Sequence, residues 1–271
     1  MTQSRNSEKK QIIGIIPARY ASTRFPAKMM APISGKTLIQ RTYENALRCS
    51  LFDTLLIATD DTRIFQHVRD FGADVVMTST ECPTGTDRLV EVLKRDERYD
   101  SASIVVNIQG DVPCLEPSVI YSIVAALQND PEAVMSTAIT KFHSMEEALL
   151  PSNVKCVIDK NHNALYFSRT LIPAPRKGMP ETSYYHHIGI YAYRRDFLLR
   201  YTELPQTPLQ LAEDLEQLKV LEHGFRIKTA IVDSVSFGVD IPEDIQKVEQ
   251  WLCKQNTSSS PVVSARHLAK D

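Results

Sequence analysis

The chain lacks the features that mark membrane-spanning, secreted and zinc-binding proteins. None of its apolar stretches approaches the roughly 18 residues of a membrane span, and the polar start MTQSRNSEKK lacks the apolar core of a signal peptide. Its five cysteines are odd in number and form no C-x-x-C pair. We therefore expect reduced thiols, no zinc site and a soluble cytoplasmic protein with no membrane partner.

A surplus of either charge is also absent. The 271 residues include 31 Lys and Arg against 33 Asp and Glu, which gives a net charge of -2. A nucleic-acid-binding domain would normally carry a basic surplus, so we expect no nucleic-acid partner. With 43% hydrophobic and 24% charged residues, the composition is typical of a globular protein with ample core.

Acidic residues are missing from one long segment, residues 9–43. Its seven basic residues are Lys9, Lys10, Arg19, Arg24, Lys28, Lys36 and Arg41. Three of them, Arg19, Arg24 and Lys28, fall in the loop after a buried-looking strand at 12–16. A basic run is usually a solvated surface, but the first strand-to-helix loop of an open α/β sheet commonly binds phosphate. The segment therefore predicts a polyanion site, and a nucleoside triphosphate is the favoured ligand.

Strand-like and helix-like segments alternate through the first half of the chain. The predicted strands are 12–16, 54–59, 75–77 and 103–108, and the predicted helices are 37–48, 62–71, 87–95 and 117–127. This rhythm predicts an α/β fold with a mainly parallel central sheet and helices on both faces. The strand-rich stretch 134–167 predicts a smaller mixed-sheet extension.

The second half of the chain is less regular. Three prolines and a glycine at 173–183 indicate a surface loop that could act as a lid. Beyond this loop we expect a strand, an amphipathic helix, a strand and a last helix at 187–193, 208–222, 225–232 and 242–254. Residues 255–271 have the composition of a disordered tail, so we expect a single domain over residues 11–254.

Familiar catalytic motifs are absent. The tetrad Ser34-Gly35-Lys36-Thr37 resembles part of a P-loop, but Met30 stands where the P-loop requires glycine, so a turn and a helix cap are the better interpretation. No G-x-S-x-G or H-E-x-x-H motif is present, which favours structural roles for His186 and His187 beside a strand.

Two aspartates are candidate magnesium ligands. Asp111 ends the apolar run VVNIQGD, where ligands of an open sheet bind, and Asp240 lies far along the chain in GVDIPED. Taken alone, Asp111 could close a turn before Pro113 and Asp240 could cap a helix before Pro242. Together with the basic loop, the two carboxylates indicate phosphoryl-transfer chemistry.

The chain resembles the 3-deoxy-manno-octulosonate cytidylyltransferases, or CMP-Kdo synthetases, over roughly residues 11–252. The matching segments, in order, are IIPARYASTRFPAK, ATDD, TGTDRL, VVNIQGD, LYFSR, HIGIYAY, LEQLKVL and GVDIPED. The resemblance implies a Rossmann-like nucleotidyltransferase fold and a homodimer. It also implies the Mg²⁺-dependent reaction of CTP with Kdo to CMP-Kdo and pyrophosphate, for lipopolysaccharide biosynthesis. Residues of about 165–235 would form the acceptor-sugar and dimerisation subregion.

The resemblance also implies roles for individual residues. The catalytic residues would be Arg19, Lys28, Asp111 and Asp240, of which Asp111 and Asp240 would bind the metal. The nucleotide-binding residues would be Arg19, Arg24, Lys28, Gly85, Thr86, Arg88 and Gln109. The sugar-binding residues would be Arg169, His187, Tyr191, Glu216 and Gln217.

The chain departs from the family pattern at two positions. Ala27 stands where the family usually has glycine, and Val112 stands where it usually has an acidic residue. Ala27 makes a positive φ harder to adopt, and Val112 removes a carboxylate that could assist the metal. Two alternative functions stay open: activation of another sugar acid, of the 8-amino-Kdo or sialic acid type, and nucleotide binding by a regulator without activity.

Overall fold

One large sheet organises the part of the chain that a computed structural model describes, residues 11–22, 25–175, 182–234 and 238–258. Its strands are Gln11–Ala18 (β1), Thr54–Thr59 (β4), Asp74–Met77 (β5), Ala102–Asn107 (β6), Ala133–Lys141 (β7), Lys155–Ile158 (β8), Ala164–Ser168 (β9), Tyr185–Arg194 (β10) and Arg226–Ile231 (β11). A separate small hairpin consists of Pro32–Ile33 (β2) and Lys36–Thr37 (β3).

The helices lie between and after these strands. They are Leu38–Ala46 (α1), Thr62–Asp70 (α2), Gly85–Arg95 (α3), Pro117–Asn129 (α4), Met145–Leu149 (α5), Arg195–Tyr201 (α6), Pro208–Glu213 (α7), Gln217–Glu222 (α8) and Asp244–Ser258 (α9). No helix within the described ranges is long and apolar enough to cross a membrane.

The strand order is β11-β7-β10-β6-β1-β4-β5, and β8 and β9 extend the sheet from β10. Along this order every neighbouring pair is parallel except those of β10, which runs antiparallel to both β6 and β7. The structure therefore confirms the predicted mainly parallel sheet with a mixed extension.

Helices cover both faces of the sheet because β1 is apolar on both. Ile12 and Ile16 face a core that includes residues of α1, α2 and α4, whereas Ile13 and Ile15 face a second core with residues of α3, α6 and α8. A third, smaller core lies beside the β2–β3 hairpin and the inner side of α9. The doubly covered fold is thus confirmed as well.

Parallel pairing brings the loops after β1 and β6 to the same edge of the sheet. The Ile108 amide donates to the Ile15 carbonyl at 3.0 Å, which continues the contact just beyond the end of β6. Since ligands of open α/β sheets bind at this edge, the fold places the basic loop and the Asp111 loop side by side.

The prediction of one continuous helix at 208–222 is wrong. It consists of α7 and α8, and between them Asp214 adopts the left-handed conformation with φ of 52°. The hydrophobic periodicity continues across the break, so the sequence pattern does not reveal it. At the break the Glu213 carbonyl accepts a hydrogen bond from Arg169 Nε at 2.7 Å. The α5 and α6 helices were not predicted, and α9 continues to Ser258 rather than ending near Lys254.

The tetrad at residues 34–37 is a turn and a helix cap, as predicted. Ser34 and Gly35 have positive φ at the tip of the β2–β3 hairpin, and Thr37 Oγ1 accepts from the Gln40 amide at 3.3 Å at the start of α1. Three sequence predictions fall wholly or partly outside the described residues: the role of Arg24, the lid over 176–181 and the tail over 259–271.

Candidate active site

Three charged residues from distant parts of the chain converge at this edge of the sheet. Lys28 begins a short 3-10 turn after β1, and its side chain is only 10% exposed. Its Nζ lies 2.6 Å from Asp111 Oδ2 and 3.6 Å from Asp240 Oδ1. The structure therefore brings together the cation and both carboxylates that the sequence singled out.

Two glycines permit this convergence. A Cβ on Gly110 would lie 2.9 Å from the Pro17 carbonyl oxygen, so the loops after β1 and β6 could not pack as they do around a larger residue. A Cβ on Gly238 would lie 3.3 Å from the Asp111 carbonyl oxygen, which is tight for a side chain. The backbones that carry Lys28, Asp111 and Asp240 thus approach each other at glycines.

Two adjoining cavities open at the convergence. The first, here the loop cavity, has a volume of about 460 Å³ and is lined by residues that include Arg19, Lys28, Gly85, Gln109, Asp111 and Glu216. The second, here the strand cavity, has a volume of about 340 Å³ and is lined by residues that include Gln109, Val112, Asn153, His186, His187 and Asp240. Gln109 belongs to both, so two ligands could meet there.

The loop cavity has the character of an anion site. Arg19 lines it and donates from Nη2 to the Cys82 carbonyl at 2.5 Å, which fixes the guanidinium beside the start of α3. Thr84 caps that helix and Gly85 opens it, so its first turn and the positive end of its dipole lie at the cavity wall.

Two predicted nucleotide-binding residues do not present their side chains to the loop cavity. Arg88 is fully buried, and its guanidinium pairs with Asp60 at 2.7 Å and also donates to Thr78. Thr86 is 2% exposed and donates from Oγ1 to Glu216 Oε2 at 2.9 Å. In this structure Arg88 supports the wall of the site and Thr86 holds Glu216, and the predicted direct contacts of both with the nucleotide stay predictions.

Four of the predicted sugar-binding residues form a largely buried series next to the cavities. His187 lines the strand cavity, and its ring stacks edge-on against Phe167 and lies 5.6 Å from the Tyr191 ring. Tyr191 donates from its hydroxyl to Gln217 Oε1 at 3.3 Å. Gln217 is 3% exposed, and its buried Nε2 has no partner among the described residues. Glu216 completes the series at the loop cavity.

Burial favours the uncharged forms of the titratable groups in this series. It lowers the pKa of His187 to about 3, helped by the neighbouring His186, and it raises the pKa of Tyr191. Burial also raises the pKa of Glu216, although the hydrogen bond from Thr86 opposes this. The series therefore offers His187 and Tyr191 as neutral hydrogen-bonding groups, together with a Glu216 carboxyl whose charged form is disfavoured by burial.

Arg169 is the predicted sugar-binding residue that the structure places elsewhere. Its Nε donates to the Glu213 carbonyl at 2.7 Å and its Nη2 to the Asp214 carbonyl at 3.1 Å, so the side chain reaches the break between α7 and α8. It does not line either cavity. Its predicted contact with the sugar stays a prediction.

Sequence reasoning missed Asn153 and Lys155. Asn153 lines the strand cavity, and Lys155 is fully buried. The three donors of the Lys155 ammonium reach the carbonyls of Leu150 at 3.0 Å, Asn153 at 2.7 Å and Arg169 at 2.6 Å. A lysine inside the apolar strand VKCVI was the available signal, because a lysine is rarely buried without a specific set of partners.

The carboxylates fit a magnesium ion. No cluster of three His, Cys, Asp or Glu within the described ranges could hold a metal by itself. Mg²⁺ in nucleotide sites, however, is usually bound by one or two carboxylates, with phosphate oxygens and waters as the other ligands. Asp111 and Asp240 already share one cationic group, the Lys28 ammonium, and the Asp240 side chain is 57% exposed, which leaves room for water.

Comparison with known proteins agrees with this geometry. The family model described as cytidylyltransferase matches residues 13–229. The 3-deoxy-manno-octulosonate cytidylyltransferase of Protochlamydia amoebophila is 60% identical over 249 residues, which cover 91% of this chain and 96% of that protein. The enzyme of the same name from Chlamydia trachomatis serovar A is 52% identical over 241 residues, which cover 89% of this chain and 93% of that protein.

A solved structure agrees as well. CMP:2-keto-3-deoxy-manno-octonic acid synthetase complexed with CTP superposes with a TM-score of 0.85 at 39% identity, covering 91% of this chain and all of that chain. The match therefore extends over nearly the whole described fold. The chain belongs to the cytidylyltransferase family, in its 3-deoxy-manno-octulosonate cytidylyltransferase branch.

Proposed function

We propose that this chain transfers the cytidylyl group of CTP to 3-deoxy-D-manno-octulosonate (Kdo), giving CMP-Kdo and pyrophosphate. The observation that carries the proposal is the convergence of Lys28, Asp111 and Asp240 where the two cavities meet. A cavity lined by Arg19 and Lys28, beside one lined by Asn153, His187 and other polar groups, matches the two substrates of such a reaction, a triphosphate and a polyhydroxylated acid. The relatives' names and the CTP complex of a homologue support the same choice.

In this mechanism the anomeric hydroxyl of Kdo attacks the α-phosphorus of CTP in line, and pyrophosphate leaves on the opposite side. Lys28 and Arg19 neutralise the negative charge that grows on the phosphoryl oxygens and the leaving group. The first turn of α3 provides backbone donors for the same nucleotide. Positioning and charge neutralisation suffice, so no covalent enzyme intermediate is required.

We further propose that Asp111 and Asp240 hold Mg²⁺. When bound, the ion would act as a Lewis acid toward the phosphate oxygens. The Lys28 ammonium lies 2.6 Å from Asp111 and 3.6 Å from Asp240, which holds the three side chains together. With both carboxylates holding the ion, the Lys28 ammonium would be available to pair with the phosphates.

The strand cavity is the proposed Kdo site. His187 stays neutral above the pKa of about 3 that burial gives it, so its ring can exchange hydrogen bonds with sugar hydroxyls throughout the physiological range. Gln217 Nε2, which has no partner among the described residues, and the Glu216 carboxyl at the loop cavity are the other hydrogen-bonding groups of the same buried series. Such a site recognises hydroxyl positions by geometry rather than by charge.

The remaining expectations belong to the same proposal. The protein works in the cytoplasm, in lipopolysaccharide biosynthesis, and forms a homodimer through residues of about 165–235. The relatives' names support the sugar acid on which this pathway assignment depends. Gel filtration with light scattering measures the dimer directly.

The test is a pyrophosphate-release assay with CTP and a panel of acceptors, with and without Mg²⁺. We expect Kdo to be preferred over sialic acid and 8-amino-Kdo, and mass spectrometry to identify CMP-Kdo. If another acid were preferred, that acid rather than Kdo would be the acceptor. CTP binding without pyrophosphate release with any acceptor would contradict the enzymatic function. Asp111→Asn should lose at least 100-fold in turnover, about the effect of removing one group that stabilises the transition state.

A further inference from the structure

The loop that carries Asp240 is tied to the first turn of α9. Asp244 Oδ2 accepts from the Asp240 amide at 3.0 Å and from the Ile241 amide at 3.2 Å. Its other oxygen, Oδ1, accepts from Lys247 Nζ at 2.7 Å. Both carboxylate oxygens are therefore engaged, and the side chain is 13% exposed, so Asp244 is a poor candidate for a ligand itself.

The same loop is held from its other side by the third core. Val239 is fully buried and packs with Val248 of α9 and with Cys114, which follows Asp111 by three positions. Ile33 and Phe25, from the segments around Lys28, join this core. In addition, the Val239 amide donates to the Asp111 carbonyl at 2.9 Å.

These contacts connect the segments of all three converging charges. Phe25 precedes Lys28 by three positions, Cys114 follows Asp111, and Val239 precedes Asp240. Of the three charged side chains, Asp240 is the most exposed, at 57%, and its backbone amide is held by Asp244 Oδ2 at 3.0 Å. A carboxylate that is displaced by about 1 Å no longer shares a cation efficiently with its partner.

We infer that α9 is a positioning element for the metal site: Asp244 and Val248 hold the Asp240 backbone where its carboxylate can bind the same divalent cation as Asp111. The inference rests on the proposed function, because it assumes that these two aspartates bind a metal. Asp244 and Val248 are positioning residues, and neither contacts substrate.

The test compares two aspartates that make similar contacts. Asp130 accepts from the amides of Glu132 and Ala133 at 3.1 and 3.2 Å, pairs with Lys228 at 3.3 Å, and has a side chain 14% exposed. Asp244→Ala and Asp130→Ala should therefore lose similar folding stability. Binding of Mn²⁺ is measured by electron paramagnetic resonance of the free ion, in the presence of CTP and without sugar acid, so that no turnover occurs.

We expect Asp244→Ala to weaken Mn²⁺ binding by about 10- to 100-fold, the usual effect of removing an outer support of a metal ligand, whereas Asp130→Ala binds as the wild type does. The Mg²⁺ concentration for half-maximal turnover should rise in parallel. Wild-type Mn²⁺ affinity in Asp244→Ala would overturn the inference while leaving the metal assignment intact. Absence of Mn²⁺ binding in the wild-type protein would overturn the metal assignment and the inference with it.

A second pair keeps the test decisive if Asp244→Ala folds poorly. Val248 in α9 and Val68 in α2 are both fully buried helical valines in different cores. Each truncation to alanine removes the same atoms, and urea denaturation of both variants measures how far their costs in unfolding free energy agree. We expect only Val248→Ala to weaken Mn²⁺ binding, and equal behaviour of the two variants would overturn the inference.

Discussion

The two cavities are built on opposite principles. At the loop cavity and its junction with the strand cavity, side chains of opposite charge meet: Lys28, Asp111 and Asp240 form a cluster in which the two carboxylates retain contact with solvent. Beside the strand cavity, burial holds His187 and Tyr191 in their neutral forms. The first region groups ion-paired side chains beside solvent, and the second consists mainly of buried polar groups.

This difference separates the residues that act in the reaction from the residues that define the shape of the pocket. Charges that stay partly hydrated can respond to phosphate and metal without a large stability cost, because water compensates them when a partner is lost. Buried polar groups have no such compensation, so they define a rigid pocket whose integrity is part of folding stability. We therefore expect substitutions near the loop cavity to affect turnover most, and substitutions behind the strand cavity to affect stability most.

The largest expected effect is on turnover, from Lys28→Ala. Removing the ammonium abolishes a cation that stabilises the transition state, and we expect kcat to fall by about 100- to 1000-fold. The free energy of unfolding should change by only about 1 kcal/mol, because Asp111 and Asp240 are 28% and 57% exposed and can be hydrated. Steady-state kinetics and urea denaturation measure the two quantities.

Lys36→Ala is the matched control for this variant. Lys36 lies in the same basic segment but pairs with Glu44 at 2.7 Å, and both side chains are more than a third exposed. Turnover within a factor of two of wild type is expected, on the order of what an exposed pair contributes. A comparable loss of kcat in both lysine variants would contradict the proposal that the Lys28 ammonium specifically stabilises the transition state.

The second prediction concerns Lys155→Met, which affects stability. The substitution keeps a long apolar side chain but leaves the carbonyls of Leu150, Asn153 and Arg169 without the ammonium that they share. We expect the free energy of unfolding to fall by about 3 kcal/mol, the order found when a buried charged hydrogen-bond donor is removed. Urea denaturation measures this loss, and Lys36→Met, at an exposed lysine, should change the free energy of unfolding little.

The combined result of Lys28→Ala and Lys155→Met is the sharpest test of the comparison. A stability loss in Lys28→Ala as large as that in Lys155→Met would show that the loop cavity is no more tolerant of lost partners than the strand cavity. Such an outcome would contradict the division between hydrated and buried polar groups.

Sequence alone predicted most of the sheet and the converging charges, for physical reasons that are local. The strand at 54–59 was predicted with the observed bounds, because its short length, its β-branched residues and the residues that flank it favour a strand over a helix. Lys28 and Asp111 follow the ends of neighbouring parallel strands, so their proximity follows from the fold class.

The features that sequence missed depend on partners far along the chain. The burial of Arg88 requires Asp60 and Thr78, and the turn of Arg169 requires the left-handed break at Asp214. Neither the partners of Arg88 nor the break at Asp214 changes the hydrophobic periodicity of the segment that contains the arginine. Sequence alone therefore did not indicate that Arg88 pairs with Asp60 or that Arg169 reaches the break at Asp214.

The third prediction concerns pH, through His187. Its pKa in the folded protein is lowered to about 3, from a usual value near 6.5, first by burial and then by His186. Above pH 6.5 neither the folded nor the unfolded form carries the proton. Below that pH only the unfolded chain takes it up, so stability is lost as pH falls from 6.5 toward 3, by about 2 kcal/mol at pH 5.

Denaturation curves between pH 5 and 8 measure this loss, and His187→Gln should show a smaller one because glutamine does not titrate. The variant retains part of the slope, since burial also lowers the pKa of His186. An unchanged pH dependence in His187→Gln would mean that His187 is protonated in the folded state, and the neutral character of the strand cavity would be contradicted.

The smallest expected effect is on the free energy of unfolding, and it compares the backbone strain of one residue in each region. Ala27, next to Lys28, adopts a left-handed conformation with φ of 57°, which costs an alanine about 1–2 kcal/mol. Ala27→Gly relieves this cost but makes the unfolded chain more flexible, so the net gain in the free energy of unfolding should be about 1 kcal/mol or less. Asp214, at the break between α7 and α8, has a similar φ of 52°, but aspartate tolerates this conformation better, so Asp214→Gly should gain less. Thermal unfolding of both variants measures the difference, and a larger gain at Asp214 would place the greater backbone strain beside the sugar-binding half rather than in the basic loop.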